Sequence, residues 1–146
     1  MTILKKKDYP VWVARVLIGL VLASNLQCTL AFIWAPARYS AALGVSGPTG
    51  TAVIRGFGLL FLMWNVPYSI ALVHPVRHRI SLIEAIIMQG IGLVGEAGIW
   101  LCGGLSGMPA ADAIERFIWF DGIGLVFLLA AFFVSRRQAS KDWLPD

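Results

Sequence analysis

The chain reads as an all-α integral membrane protein, a four-helix bundle with its N and C termini cytoplasmic, and three observations carry that reading. Four apolar stretches, at 11–34, 51–73, 80–102 and 113–134, each reach the roughly 20 residues that a helix needs to cross about 30 Å of hydrocarbon. Composition agrees, with 58% of residues hydrophobic and 14% charged, against about 25% charged in soluble domains. The cations of the short connections also fall on one side. Lys5, Lys6, Lys7, Arg77, Arg79, Arg136, Arg137 and Lys141 flank the spans on the side of both termini, and Arg38 alone stands opposite. Basic flanks stay in the cytoplasm, which places the middle loop inside as well. The expectation is one transmembrane domain over 1–146, multi-pass in the cell membrane (the inner membrane of a Gram-negative cell).

Punctuation places each helix in turn. The lysine-rich start resembles a secretory leader, but the apolar run continues to Trp34, too long for a signal core, so it is read as a retained span. Pro36 follows it. Tyr39, Ser40, Gly44, Ser46, Gly47 and Pro48 in the connection 35–50 predict a short re-entrant or surface turn. Within the second span, Pro67 leaves the Met63 carbonyl without its amide partner, so Asn65 and Pro67 are read as a hinge; Pro75 then stops the helix. Ser81-Leu-Ile-Glu84 has the form of a capping box for the third span. Asp112-Ala-Ile-Glu115 reads as the same device for the fourth. Gly103, Gly104, Gly107 and Pro109 make a tight outer connection.

Polar residues at membrane depth carry the functional information, because an ionisable group there is costly and faces protein or water. Glu96 lies six residues before the end of the third span, roughly 9 Å below the outer edge. Asp121 lies eight residues into the fourth, at roughly 12 Å. Asn25 and Gln27 of the first span and Arg55 of the second fall at similar depth. Ser81, Ala85, Gln89, Gly92 and Glu96 recur at four- and three-residue steps and predict one small, polar interior stripe. Gly56, Gly58, Gly122 and Gly124 permit close approach of the neighbouring helices. Arg55 is expected to neutralise Glu96 or Asp121, leaving the other acid to Arg116, a proton or a ligand. The candidate cluster is therefore Asn25, Gln27, Arg55, Gln89, Glu96, Arg116 and Asp121. Three uses stay open: a network that only holds the helices together, a ligand cavity in the outer half, or a proton or ion path.

Other chemistries find little support. The formal charge of +4 raises nucleic acid as a partner, but the cations form no cluster interleaved with aromatic residues, so none is expected. His74 and His78 share one short loop, whereas bis-histidine haem needs ligands on facing helices. No carboxylate or thiol joins them, so neither haem nor a metal centre is expected. Cys28 and Cys102 form no CxxC pair and read as small apolar filler. A catalytic triad, a P-loop and a dinucleotide glycine pattern are all missing from the sequence.

Arg15-Val-Leu-Ile-Gly19-Leu, Pro36 just past the first span, and Arg55-Gly-Phe-Gly58-Leu-Leu resemble the DoxX-like superfamily of small four-helix membrane proteins over 11–134. That resemblance implies a four-helix bundle and an accessory subunit, since the group includes subunits of quinone-linked respiratory oxidoreductases. An acidic residue commonly precedes the second-helix glycines in that group. Arg55 stands there instead, so no functional residue is carried over. The favoured expectation is a non-enzymatic binding or accessory subunit that holds a lipid or quinone-like molecule between helices or docks onto a larger membrane complex. The alternative is a small proton-coupled transporter, acting as a homo-oligomer with Glu96 or Asp121 as its protonatable site and Pro67 as hinge. A lipid-modifying enzyme using the two acids is the third reading.

Overall fold

A computed structural model describes residues 9–105 and 107–141. Lys5, Lys6 and Lys7, and the side chains of Arg137 and Lys141, lie outside the described residues. Within them run five helices and no strand: α1 (Tyr9–Trp34), α2 (Pro36–Ala42), α3 (Gly47–Val73), α4 (Arg79–Cys102) and α5 (Pro109–Lys141). Four are long and apolar enough to cross a membrane. The shortest of these, α4, has 24 residues, about 36 Å of helix. The fold is the all-α membrane bundle that the hydropathy predicts.

Each long helix packs on two others. α1 lies against α3 and α5, α4 lies against the same two, and among the described residues the diagonal pairs approach only through side chains of the core. Short connections make sequence neighbours antiparallel, so the ring runs up-down-up-down. On the α1–α3 seam Gly19 faces Leu72, and Gly58 faces Phe32 and Ile33. Those two anchors put Asn25 level with Asn65 and Val66.

The apolar core sits in the half of the bundle nearer the two termini. Ile18, Leu22, Ala71, Leu82, Ala85, Leu128 and Ala131 meet there. Arg15 closes this end by donating through Nε to the Leu72 carbonyl at 3.1 Å, one of the acceptors that the last turn of α3 leaves open. Its guanidinium also lies 4.6 Å from the Trp12 ring centre. At the opposite end Phe32 is an aromatic hub, with ring centres 4.9 Å from Tyr39, 5.8 Å from Phe61 and 6.2 Å from Phe117. One side chain thus ties α1 to α2, α3 and α5.

Helix boundaries differ from the sequence reading in three places. The 35–50 connection holds the seven-residue helix α2, started by Pro36 at its first position, where proline's fixed φ suits a helix and its missing N–H costs nothing. α4 begins at Arg79 with His78 before it and no side-chain cap, so Ser81 already stands inside the first turn and the capping box does not form. α5 begins at Pro109, which leaves Asp112 in the first turn rather than ahead of it. The acid still faces the positive end of the helix dipole. The interior stripe of α4 also includes Leu82, fully buried beside Ala85 and Gln89, because the helix turns its inner half toward the apolar core.

Candidate functional site

Above that core lies a layer of buried polar groups built from one stripe of α3. Ile54, Gly58, Asn65, Tyr68 and Ala71 face inward at three-, four- and seven-residue spacing, the periodicity of a single helix face. Tyr68 is fully buried. Its hydroxyl accepts from Trp64 Nε1 at 3.2 Å and donates to Gln89 Oε1 at 2.6 Å. The Ala85 carbonyl stands 3.2 Å from the same hydroxyl. Gln89 then donates through Nε2 to Asp121 Oδ1 at 2.7 Å. The result is an ordered chain from α3 through α4 to α5, each donor pointing toward Asp121. Asn25 of α1, also buried, lies beside the Tyr68 hydroxyl.

Two glycines make this crossing possible. A Cβ on Gly124 would stand 2.7 Å from Gln89 Nε2, and one on Gly92 would overlap the Asp121 carboxylate. Each polar side chain therefore lies in the gap left by a glycine on the opposing helix. Glu96, one turn beyond Gly92, faces the same small void as Asn25, Cys28 and Asp121, walled by Phe61, Phe117 and Phe120. Glu96 Oε2 is shielded and has no hydrogen-bond partner, and the same holds for Thr29 Oγ1 on α1. The void measures about 10 Å³. A single water needs about that much, so no organic molecule fits between the acids.

Of the seven residues in the candidate cluster, four meet here: Asn25, Gln89, Glu96 and Asp121. Arg55 does not join them. Ile54 and Gly58 take the inward phase of α3, which leaves Arg55 exposed on its outside and unable to serve as the expected partner of either acid. Gln27 and Arg116 face a second cavity instead. Asn65 is buried and donates through Nδ2 to the Phe61 carbonyl at 2.7 Å, while Ser69 Oγ donates to the Asn65 carbonyl at 2.9 Å. α3 runs unbroken through Pro67, and these two side-chain bonds brace the turns around the amide that proline lacks.

The second cavity, about 700 Å³, opens between α1, α2 and α5 at the end of the bundle remote from the two termini, the outer end of the topology that the basic residues predict. Its polar lining is Gln27, Arg38, Tyr39 and Arg116, of which Gln27, Arg38 and Arg116 are exposed and mark the mouth, and its less polar lining includes Cys28, Ala31, Phe32, Ala42, Phe117 and Phe120. Ser24 and Phe120 also border an apolar slot of about 320 Å³, which continues down the α1–α5 seam past Leu20, Val21, Ile123 and Phe127. From Arg116 to Phe127 the seam follows α5 for about 16 Å, close to the roughly 15 Å of one leaflet's hydrocarbon. Cys28, Phe117 and Phe120 border both the outer cavity and the acid-lined void, so one layer of side chains separates the two.

Trp64, Tyr68 and Tyr39 escaped the sequence reading as site residues, and Arg38 entered it only as a topology signal. The spacing of Gly58, Asn65 and Tyr68 marks the inward stripe of α3. For Arg38 and Tyr39 the signal is Pro36 followed by six residues with no helix breaker. His74 Nδ1 accepts the Arg77 amide at 3.2 Å. Among the described residues no three histidine, cysteine or acidic side chains gather as a metal site would require. Comparison with protein-family models, with curated proteins and with solved structures finds no match to this chain.

Proposed function

We propose that the chain is a non-enzymatic binding protein of the cell membrane, holding one amphipathic small molecule, a lipid or quinone-like compound, in the outer cavity between α1, α2 and α5. The observation that carries this reading is the continuity of a polar mouth with an apolar slot. The cavity volume falls in the class of sites that enclose one small molecule, about 300–1,000 Å³. The occupant sits beside the buried acids, whose own void is far too small for it. The DoxX-like resemblance supports an accessory role within a larger membrane complex. Native mass spectrometry of the full chain in neutral detergent tests the proposal. One retained amphiphile is expected on the wild type and none on Ala31→Trp, which fills the cavity wall, at unchanged helix content. A wild type that neither retains nor accepts any amphiphile sinks it.

A second reading, a proton-coupled transporter working as a homo-oligomer, is favoured by one observation. The hydrogen-bond chain ends on Asp121, next to the unpartnered oxygen of Glu96. Carboxyl groups take up and release protons, and the chain orders one of the two. Proteoliposomes containing a pH-sensitive dye should then show proton flux that Glu96→Gln removes; wild-type protein that carries none eliminates this reading.

A further inference from the structure

Resting on the binding reading above, we infer that the occupant of the outer cavity carries an anionic headgroup, a phosphate or a carboxylate, held between Arg38 of α2 and Arg116 of α5. Both guanidiniums border the cavity, and no carboxylate is among its lining residues. Asp112 and Glu115 stand on the same helix as Arg116, yet both are exposed and neither borders the cavity. Two arginines from different helices therefore border one space whose lining supplies no counterion. Arg38 is also the residue that breaks the distribution of basic loops. Outer loops are poor in cations, and the one placed there borders this cavity.

The rest of the lining matches an amphiphile with such a head. Gln27 and Tyr39 add neutral hydrogen-bonding groups. Arginine presents a planar fork of donors that fits phosphate or carboxylate oxygens in pairs. Behind the mouth the wall turns to alanine and phenylalanine, and the seam beyond it has the length of one leaflet, so a single chain can follow the head inward. The site is a half-open cleft between helices, which distinguishes it from the annular shell of lipid around any membrane protein. Three helices bound it, and Phe32 and Phe117, whose rings pack against each other, form its back.

The inference is tested by measuring three probes with one common tail against the full chain in neutral detergent. Lysophosphatidate and oleate carry anionic heads, and monooleoylglycerol carries none. Both anionic probes should bind at least about tenfold more tightly than the neutral one, the scale of one charge-assisted hydrogen bond. Arg38→Gln and Arg116→Gln should each weaken the two anionic probes far more than monooleoylglycerol, so that most of the preference is lost. Lysine at either position should restore part of it, since the charge returns without the fork. Equal affinity for all three probes, or a preference that survives the double glutamine variant, overturns the anionic headgroup and leaves the binding reading standing. If none of the three binds, the anionic lipid-like occupant is overturned, and the binding reading falls with it only when native mass spectrometry also finds no retained amphiphile. Inorganic phosphate tells the two sources of anion apart. Failure to displace lysophosphatidate supports an amphiphile, and displacement as effective as that by oleate overturns the role of the tail.

Discussion

At Gln89 one side-chain amide satisfies two neighbours, accepting from Tyr68 at 2.6 Å and donating to Asp121 at 2.7 Å. Interhelical hydrogen bonds inside membranes contribute about 0.6 kcal/mol on average and up to about 1.7. Tyr68→Phe should therefore cost an amount within that range. Gln89→Leu should cost more than Tyr68→Phe, because it strips the Asp121 carboxyl group of its donor, whereas the Tyr68 hydroxyl keeps Trp64 and the Ala85 carbonyl; thermal unfolding in detergent measures both. The glycines opposite these side chains supply a test of sign. Gly92→Ala and Gly124→Ala place a methyl against the ends of the Asp121 and Gln89 side chains, which give way only at the expense of the hydrogen bond between them, so each should destabilise by about 0.5–1.5 kcal/mol. Gly95 and Gly98 have nothing within 4 Å of a Cβ, so alanine there should be neutral or stabilising by up to about 1 kcal/mol. Asn25, Gln89, Glu96 and Asp121 were legible in the sequence because polarity at membrane depth is expensive whichever way the helix turns. Tyr68 was not, since a tyrosine in a span is equally at home in the aromatic belt, and Arg55 was misread because depth alone does not say which side of α3 it occupies.

The four long helices could be read from length and hydropathy alone, and their termini from proline and glycine to within a few residues, except that α5 runs on to Lys141, seven residues past the apolar stretch. α2 could not. Seven residues are too few for a periodic signal, and its stability comes from what it touches: Tyr39 against Phe32 and Ser40 against the first turns of α3. Gly50 is the hinge-pin of that contact. It is buried, and a Cβ there would run into the Val45 carbonyl as well as approach Ser40. Backbone cannot swing aside as a long side chain can, so Gly50→Ala should push the α2–α3 connection outward at a cost of at least about 1–3 kcal/mol. Gly56, also on α3 but with no neighbour within 4 Å of a Cβ, is the matched control. Limited proteolysis reads the outcome: cleavage at 43–47 should rise in Gly50→Ala and stay at the wild-type rate in Gly56→Ala. Because α2 supplies Arg38 and Tyr39 to the outer cavity, the same change should weaken amphiphile binding.

The bundle as a whole wears its apolar residues outside. On α4, Ile80, Val94 and Leu101 are 74%, 72% and 73% exposed, while Gln89 is buried. Exposed apolar surface on this scale suits lipid rather than water. Orientation in the membrane is then set by charge, not by packing, since an up-down ring fits a bilayer equally well inverted. The loop carrying Arg77 lies at the end of the bundle shared by Arg15, Arg79 and Arg136, and Cys102 ends α4 at the other. The distribution of basic residues predicts that the Cys102 end faces out of the cell. Cys28 borders the outer cavity and would confuse a labelling experiment, so it is replaced by serine. In Cys28→Ser, a membrane-impermeant maleimide added to intact cells should label Cys102, which is exposed. In a chain whose two native cysteines are both serine, His74→Cys should react only after the membrane is opened, because His74 is exposed at the opposite end. The reverse pattern would invert the bundle. Arg38 and Arg116 would then face the cytoplasm, and the cavity between α1, α2 and α5 would draw its occupant from the inner leaflet.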